Sequence, residues 1–356
     1  MRNFTLFATN SLPSVTQPIW PEMQNKRLII VLTLLLAAAG TGYGQTAKPL
    51  MRLEPADARF NAVVSKSAKA EILADGFLWS EGPVWVEKYK MLLFSDVKKN
   101  VIYKWTAAKG KEIYLKPSGY TGKVPRGEEL GSNGLGLNLK GRLVICQHGD
   151  RAVSIMDATL DKPKPRFIKI ATGYKGKKFD SPNDLAFLSN GDIYFTDPPY
   201  GLEKNVDDPL KETPYQGVYR ISANGKITLL TDTLTRPNGI AFFPSGKTVL
   251  IANSDPQKPF WYAYDLDKNG LLTHGRIFYS AMAASKTADG MPDGMKIDKQ
   301  GHVFATGPGG IWVFNRAGKL LGKILINDLA SNCSFSADEK TLYVTSNHRV
   351  LKIDLR

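Results

Sequence analysis

Cysteine and histidine are scarce in this chain of 356 residues, with two of the first and four of the second. Cys146 and Cys333 cannot make a disulfide framework, and they read as two small buried side chains in repeat units that are not neighbours. His148, His274, His302 and His348 show no paired spacing, which excludes a zinc motif built on His and Cys. Helical periodicity is nearly absent. Acidic residues are outnumbered, 33 against 47 Lys and Arg, for a formal charge of +14. Arg2, Lys26 and Arg27 against Glu22 contribute +2 of it, leaving +12 beyond residue 44. The bases are scattered through turns such as KGKK at 175–178 and are not interleaved with aromatics, so nucleic acid is not an expected partner. They read as a diffuse solvated surface able to steer anionic or electron-rich ligands.

Long apolar runs are missing too. LIIVLTLLLAAAG at 28–40 is too short for a comfortable membrane span. It follows MQNKR, which opens at Met23, and precedes TGYGQ, the three-part pattern of a secretory signal. The expectation is an upstream extension over 1–22, a signal over 23–44, an N-terminal arm over 45–66 and one domain over 67–356. A periplasmic or secreted chain without stable membrane insertion follows, retention as an uncleaved anchor being the alternative. The sequence is silent on oligomeric state.

What the chain does have is repetition. Five segments start with an oxygen-bearing polar residue and run on as an apolar, alternating strand: Glu81 in SEGPVWV, Asn133 in SNGLGLN, Asn183 in PNDLAFL, Asn238 in PNGIAFF and Asp293 in PDGMKID. Their spacings are 52, 50, 55 and 55 residues. Second strands such as KMLLFSD and GDIYFTD, third strands such as VIYKW and GIWVFN, and fourth strands such as KEIYLK and KILIN follow. The second and third strands occur six times, although only five starts are visible. This predicts an all-β, six-bladed β-propeller with four antiparallel strands per blade. AEILADG at 70–76 would close the ring by pairing with the last blade. PSGYTGKVPRGEELGS at 117–132 interrupts the repeat and reads as a solvated loop, with a substrate lid as the alternative.

In an antiparallel blade, the turns before the first strand and those between the second and third strands share a face. Glu81, Asn133, Asn183, Asn238 and Asp293 should therefore meet Ser95, Asp96, His148, Asp197 to Tyr200, Asn253, Ser254, Gly307 to Gly309, Asn347 and His348 around one pocket. A single Asn-Gly or Asp-Gly is ordinarily a tight turn. Recurrence in step with the blades argues instead for a hub. Two carboxylates and two amides at Glu81, Asn183, Asn238 and Asp293 make an all-oxygen shell suited to one hard divalent cation, calcium first, with magnesium, manganese or zinc as alternatives.

SEGPVW, SPNDLAF, YFTDPPYG, RPNGIAF and PDGMKID together resemble the calcium-dependent propeller lactonases, the gluconolactonase family that includes regucalcin (senescence marker protein), over about residues 70–356. The squid-type diisopropylfluorophosphatase is a more distant likeness. The resemblance implies metal ligation by Glu81, Asn183, Asn238 and Asp293, with Asp293 also the proton acceptor and donor in hydrolysis of a sugar lactone to its aldonic acid. Asn133, His148, Asp184 and Tyr200 are candidate substrate contacts. For His148 a structural role is the alternative, for Asp184 a turn cap and for Tyr200 a loop anchor. Ser181 stands where regucalcin-like members place a sugar-binding Arg, and QHGDR with GSNGLGL looks closer to the bacterial gluconolactonase branch. Arylester or phosphotriester hydrolysis on the same hub, or a non-catalytic secreted propeller with structural calcium, remain open.

Overall fold

The computed structural model describes residues 49–124 and 127–356. The expectations for 1–22, for 23–44 and for the start of the arm lie outside the described residues.

Alternating side chains and polar turns produce antiparallel sheets of four strands, arranged as six blades in a ring. Blade one runs Ser80–Val86, Met91–Asp96, Val101–Thr106 and Gly110–Leu115; blade four, Pro237–Phe242, Thr248–Asp255, Lys258–Leu266 and Leu272–Ser280. The hairpins use one device. Asn138 Oδ1 accepts the N–H groups of Lys140 and Arg142, and Gly141 takes a φ of +68° where a Cβ would be strained. Asp267, Asp298 and Asn315 repeat these bonds in later hairpins.

Ring closure is as expected. The strand Ala70–Asp75 pairs antiparallel with Arg349–Asp354, so the last blade contains strands from both ends of the described chain. Two features lay beyond the sequence reading. The sixth blade starts with Ala330–Phe335, a strand carrying Asn332 at its head. The strand Met51–Pro55, placed in the arm, pairs with Leu320–Ile326 as a fifth strand on blade five, Met51 opposite Ile326 and Pro55 opposite Gly322. The propeller therefore reaches N-terminal of residue 67. The physical reason is burial: the turn Phe60–Val63 puts Phe60, Val63 and Val64 into the core between blades five and six.

Core packing lies between blades. One apolar cluster fills each junction among the described residues, from Leu93 with Ile145 between blades one and two to Leu92 with Tyr343 between six and one. Trp261, fully buried between blades four and five, lies 5.5 Å from both Trp312 and Phe314. Truncating such a ring costs about 3–5 kcal/mol, so each junction is a firm joint. Cys146 and Cys333 are buried and unpaired, as their sequence positions implied. No helix among the described residues is long and apolar enough to cross a membrane.

Toward the axis, a belt of hydroxyls takes over from apolar packing. Ser95 donates to the carbonyl of Asn133 (2.8 Å), Thr196 to that of Asn238 (2.7 Å), Thr306 to that of Ser331 (3.0 Å) and Ser331 to that of Ser80 (2.7 Å). Each bond joins the second or first strand of one blade to the first strand of the next. Together they set the inner strands in register around the axis.

Candidate functional site

The residue after a hub residue explains how six inner strands approach so closely. A Cβ on Gly82 would lie 2.1 Å from the carbonyl oxygen of Asn133, one on Gly134 2.6 Å from that of Asn183, and one on Gly239 2.2 Å from that of Asp293. On Gly294 it would fall 2.0 Å from Cγ of Asn332. The polar-Gly motif is thus a close-approach device between neighbouring blades. Glycine is required there because the obstacle is largely backbone, which cannot step aside.

A second device fixes where each hub strand begins. Asp96, at the end of its strand, accepts the N–H groups of Leu78 (3.1 Å) and Trp79 (3.2 Å), two residues before Glu81. Asp197 accepts those of Asp180 (2.9 Å) and Ser181 (2.8 Å), two before Asn183. Asn253 accepts that of Arg236 (2.7 Å), two before Asn238. The same offset in three blades makes these buried side chains clamps for the hub residues rather than the pocket-mouth groups expected of them. Ser181 Oγ bonds the Pro198 carbonyl at 2.5 Å and accepts from Gly201, so it braces the DPPYG loop.

Glu81, Asn133, Asn183, Asn238, Asp293 and Tyr200 line one cavity of about 320 Å³, together with Ser254 and Glu129. Trp79, Met291 and Leu329 supply its apolar wall. Larger clefts of about 500 Å³ lie along the blade edges, lined by turn and outer-strand residues with no such set of acids and amides. Of the pocket groups expected from the turns between second and third strands, Tyr200 and Ser254 reach this cavity. His148 and Asp184 do not belong to its lining. His148 is fully buried beneath the loop, its neighbour Gly149 bonded to the Leu130 carbonyl, and burial pushes its pKa down to about 4. Asp184 accepts the N–H of Leu185 through Oδ1.

Several polar atoms here have no protein partner. Oδ1 of Asn133 is buried without a hydrogen bond, and so is Oδ2 of Asp184. Asn238 gives its amide nitrogen to Ser254 Oγ (3.0 Å), which leaves its oxygen available to the cavity. Glu81 is 3% exposed; burial pushes its pKa up to about 8, with the charge of Asp184 adding to the shift and the Gly82 N–H opposing it. Burial also raises Asp293 well above the carboxylate range, helped by the charges of Glu81, Asp184 and Glu129. Glu129 is held up at about 7, again by burial. Like-charged groups crowded into low dielectric are unfavourable unless something positive joins them. Among the described residues no Lys, Arg or His lines the cavity. No three Asp, Glu, His or Cys side chains among the described residues stand close enough together to hold one ion by themselves. The donor set is therefore two carboxylates completed by amide oxygens. Such a set, with unengaged oxygens, fits a hard cation that takes oxygen ligands and keeps positions for water or substrate.

Two residues of the site were not found from the sequence. Asn332 is the hub residue of blade six, 2% exposed, its Oδ1 accepting the N–H of Cys333 at 2.9 Å. Its spacing of 39 from Asp293 and its following cysteine hid it from a search for 50- to 55-residue intervals with glycine. Glu129 belongs to the 117–132 insert, expected to be a solvated loop; at this residue the insert instead lines the cavity.

Comparison with known proteins matches residues 79–348 to the SMP-30/Gluconolactonase/LRE-like region. The chain is 38% identical to a gluconolactonase of Zymomonas mobilis over 338 residues, 92% of this chain and 94% of that one. It superposes on the gluconolactonase XC5397 of Xanthomonas campestris with a TM-score of 0.74 and 29% identity, covering 87% and 96% of the two chains. Regucalcin of Agrobacterium tumefaciens shares the fold, with a TM-score of 0.62 at 17% identity over 80% of this chain and 94% of that one.

Proposed function

The chain belongs to the SMP-30/Gluconolactonase/LRE-like family, and from that premise we propose that it hydrolyses a sugar lactone to the aldonic acid at the hub cavity. The observation that carries the reading is the convergence of Glu81 and Asp293 with Asn133, Asn183 and Asn238 on one cavity. The named activities of the Zymomonas and Xanthomonas relatives support the same chemistry.

Glu81, Asn183, Asn238 and Asp293 would hold a divalent cation, calcium by the hardness of the oxygen set. When bound it supplies Lewis-acid polarisation of an ester carbonyl. Asp293 combines a ligand position with exposure to the cavity, so its carboxylate takes the proton from the attacking water and returns it to the departing ring oxygen. Burial keeps the Tyr200 phenol well above its usual range, so it stays protonated as a hydrogen-bond donor to substrate oxygen. Asn133 offers an unengaged acceptor to a substrate hydroxyl. Trp79, Met291 and Leu329 exclude bulk water from one side.

Proton release from glucono-1,5-lactone, followed in weakly buffered solution against the spontaneous rate, tests this directly. Rapid enzyme-dependent release is expected; release at the spontaneous rate only, with folded protein present, would remove the reading.

A further inference from the structure

We propose that Glu129 determines specificity in this cavity: with Asn133 it accepts hydrogen bonds from the hydroxyls of an uncharged lactone and turns away lactones bearing phosphate or carboxylate. The inference rests on the lactone-hydrolase reading and refines it to a substrate class.

The loop that carries Glu129 is tied on both sides. Before it, Asn100 Oδ1 accepts the N–H groups of Ser118 (3.0 Å), Gly119 (2.8 Å) and Tyr120 (3.1 Å). After it, Gly131 donates to the Val97 carbonyl (2.8 Å) and accepts from His148 (3.2 Å), while Leu130 accepts from Gly149 (3.1 Å). Position 129 is thereby fixed against the hub by bonds to blades one and two. Its neighbour Glu128 turns to Lys98 at 2.9 Å. Glu129 makes no side-chain hydrogen bond or ion pair with the described residues, feels the charge of Lys98, which is paired to Glu128, and lines the cavity together with Glu81 and Asp293.

Asn133 gives the independent sign that something binds there. It is 5% exposed and lines the cavity, and its Oδ1 has no partner, an arrangement that costs free energy unless a ligand or water supplies a donor. Glu129 and Asn133 thus present two acceptors, four residues apart in the chain, to whatever occupies the cavity. The hydroxyls of a polyol lactone are matching donors.

Charge decides what is rejected. Three carboxyl groups line the cavity and no described lining residue is cationic, so with one divalent ion offsetting two of them, Glu129 leaves an excess negative charge once ionised, above about pH 7. A further anionic group on the ligand would meet that field at short range in a partly desolvated space. The sign is opposite to that of the chain as a whole, at +14. Long-range attraction of anions by the basic surface and their rejection at the hub are separate effects.

The test compares kcat/KM for glucono-1,5-lactone and for its 6-phosphate, which share the ring, in the wild type, E129Q and E128Q. The wild type should prefer the uncharged lactone. E129Q, which keeps the shape and removes the charge, should narrow that preference at least fivefold, chiefly through a lower KM for the phosphate. E128Q should change it less than twofold. A preference unmoved in E129Q, even with both rates reduced together, overturns the proposal, as does an equal effect of E128Q. A wild type that hydrolyses neither lactone removes the hydrolase reading and this inference with it; an active wild type with an unchanged E129Q ratio removes this inference alone.

Discussion

Asp96 touches no substrate in this account, yet its replacement should damage the site severely. It is fully buried and accepts the N–H groups of Leu78 and Trp79, with Lys99 Nζ at 3.6 Å as its ionic partner. Asp96→Ala leaves both donors unpaired. Hydrogen bonds to a charged acceptor are worth about 1.5–3 kcal/mol each, and an unsatisfied buried donor costs about 1–3 kcal/mol, so a total near 3–4 kcal/mol is expected. For roughly 300 ordered residues, an unfolding entropy of about 2.1 cal/mol/K per residue converts that into a fall in Tm of about 5–6 °C. Asp96→Asn keeps one accepting oxygen and turns an amide nitrogen toward a donor, so about half the loss is expected. Glu71→Gln, on an exposed position of the closing strand, serves as control and should stay within about 0.5 kcal/mol. Urea denaturation gives the stability, and calcium titration of the folded variants gives the function. Because Trp79 lies two residues before Glu81, Asp96→Ala should weaken cation binding more than tenfold even where it is fully folded. Unchanged stability with unchanged affinity would show that the clamp does not set the hub, and the argument from the common offset in three blades would be lost.

Three further outcomes follow from the same geometry. Asp293→Asn should lower kcat for lactone hydrolysis by about a hundredfold or more, with the circular dichroism of the folded propeller retained. Wild-type turnover in that variant would take Asp293 out of the proton transfer. Gly239→Ala, whose methyl would lie 2.2 Å from the Asp293 carbonyl, should lose at least about 2 kcal/mol in urea and most of its activity; an unperturbed protein would contradict the close-approach argument. Phe60→Ala should cost about 3–5 kcal/mol, measured the same way, because the ring is fully buried between blades five and six. A loss under about 1 kcal/mol would return this segment to the status of a loose arm.

The blades were legible because period-two alternation and Asn- or Asp-headed turns are local signals, repeated often enough to outweigh chance. Five hub positions were legible for the same reason, since a glycine follows four of them. Asn332 was not: Cys333 replaces the glycine, and the shorter fifth blade breaks the interval. Glu129 lies in an insert that occurs once, where periodicity carries no information and the fold alone reveals what the carboxylate faces. Asp96, Asp197 and Asn253 were placed on the correct face but given the wrong neighbours. Strand topology fixes which end of a blade a residue occupies; whether its side chain turns to backbone donors or to the cavity depends on the preceding turn. Met51–Pro55 is a short strand with a mostly exposed face, and only its pairing with blade five distinguishes it from a tail.

The central claim is that oxygen donors from separate blades grip one cation at the axis. Isothermal titration of calcium into chelator-treated protein, for the wild type and Glu81→Gln, tests it most directly. One strong site per chain, lost in the variant while its fold persists, is the expected result; no calcium-dependent heat in the wild type, or equal binding in Glu81→Gln, would contradict it.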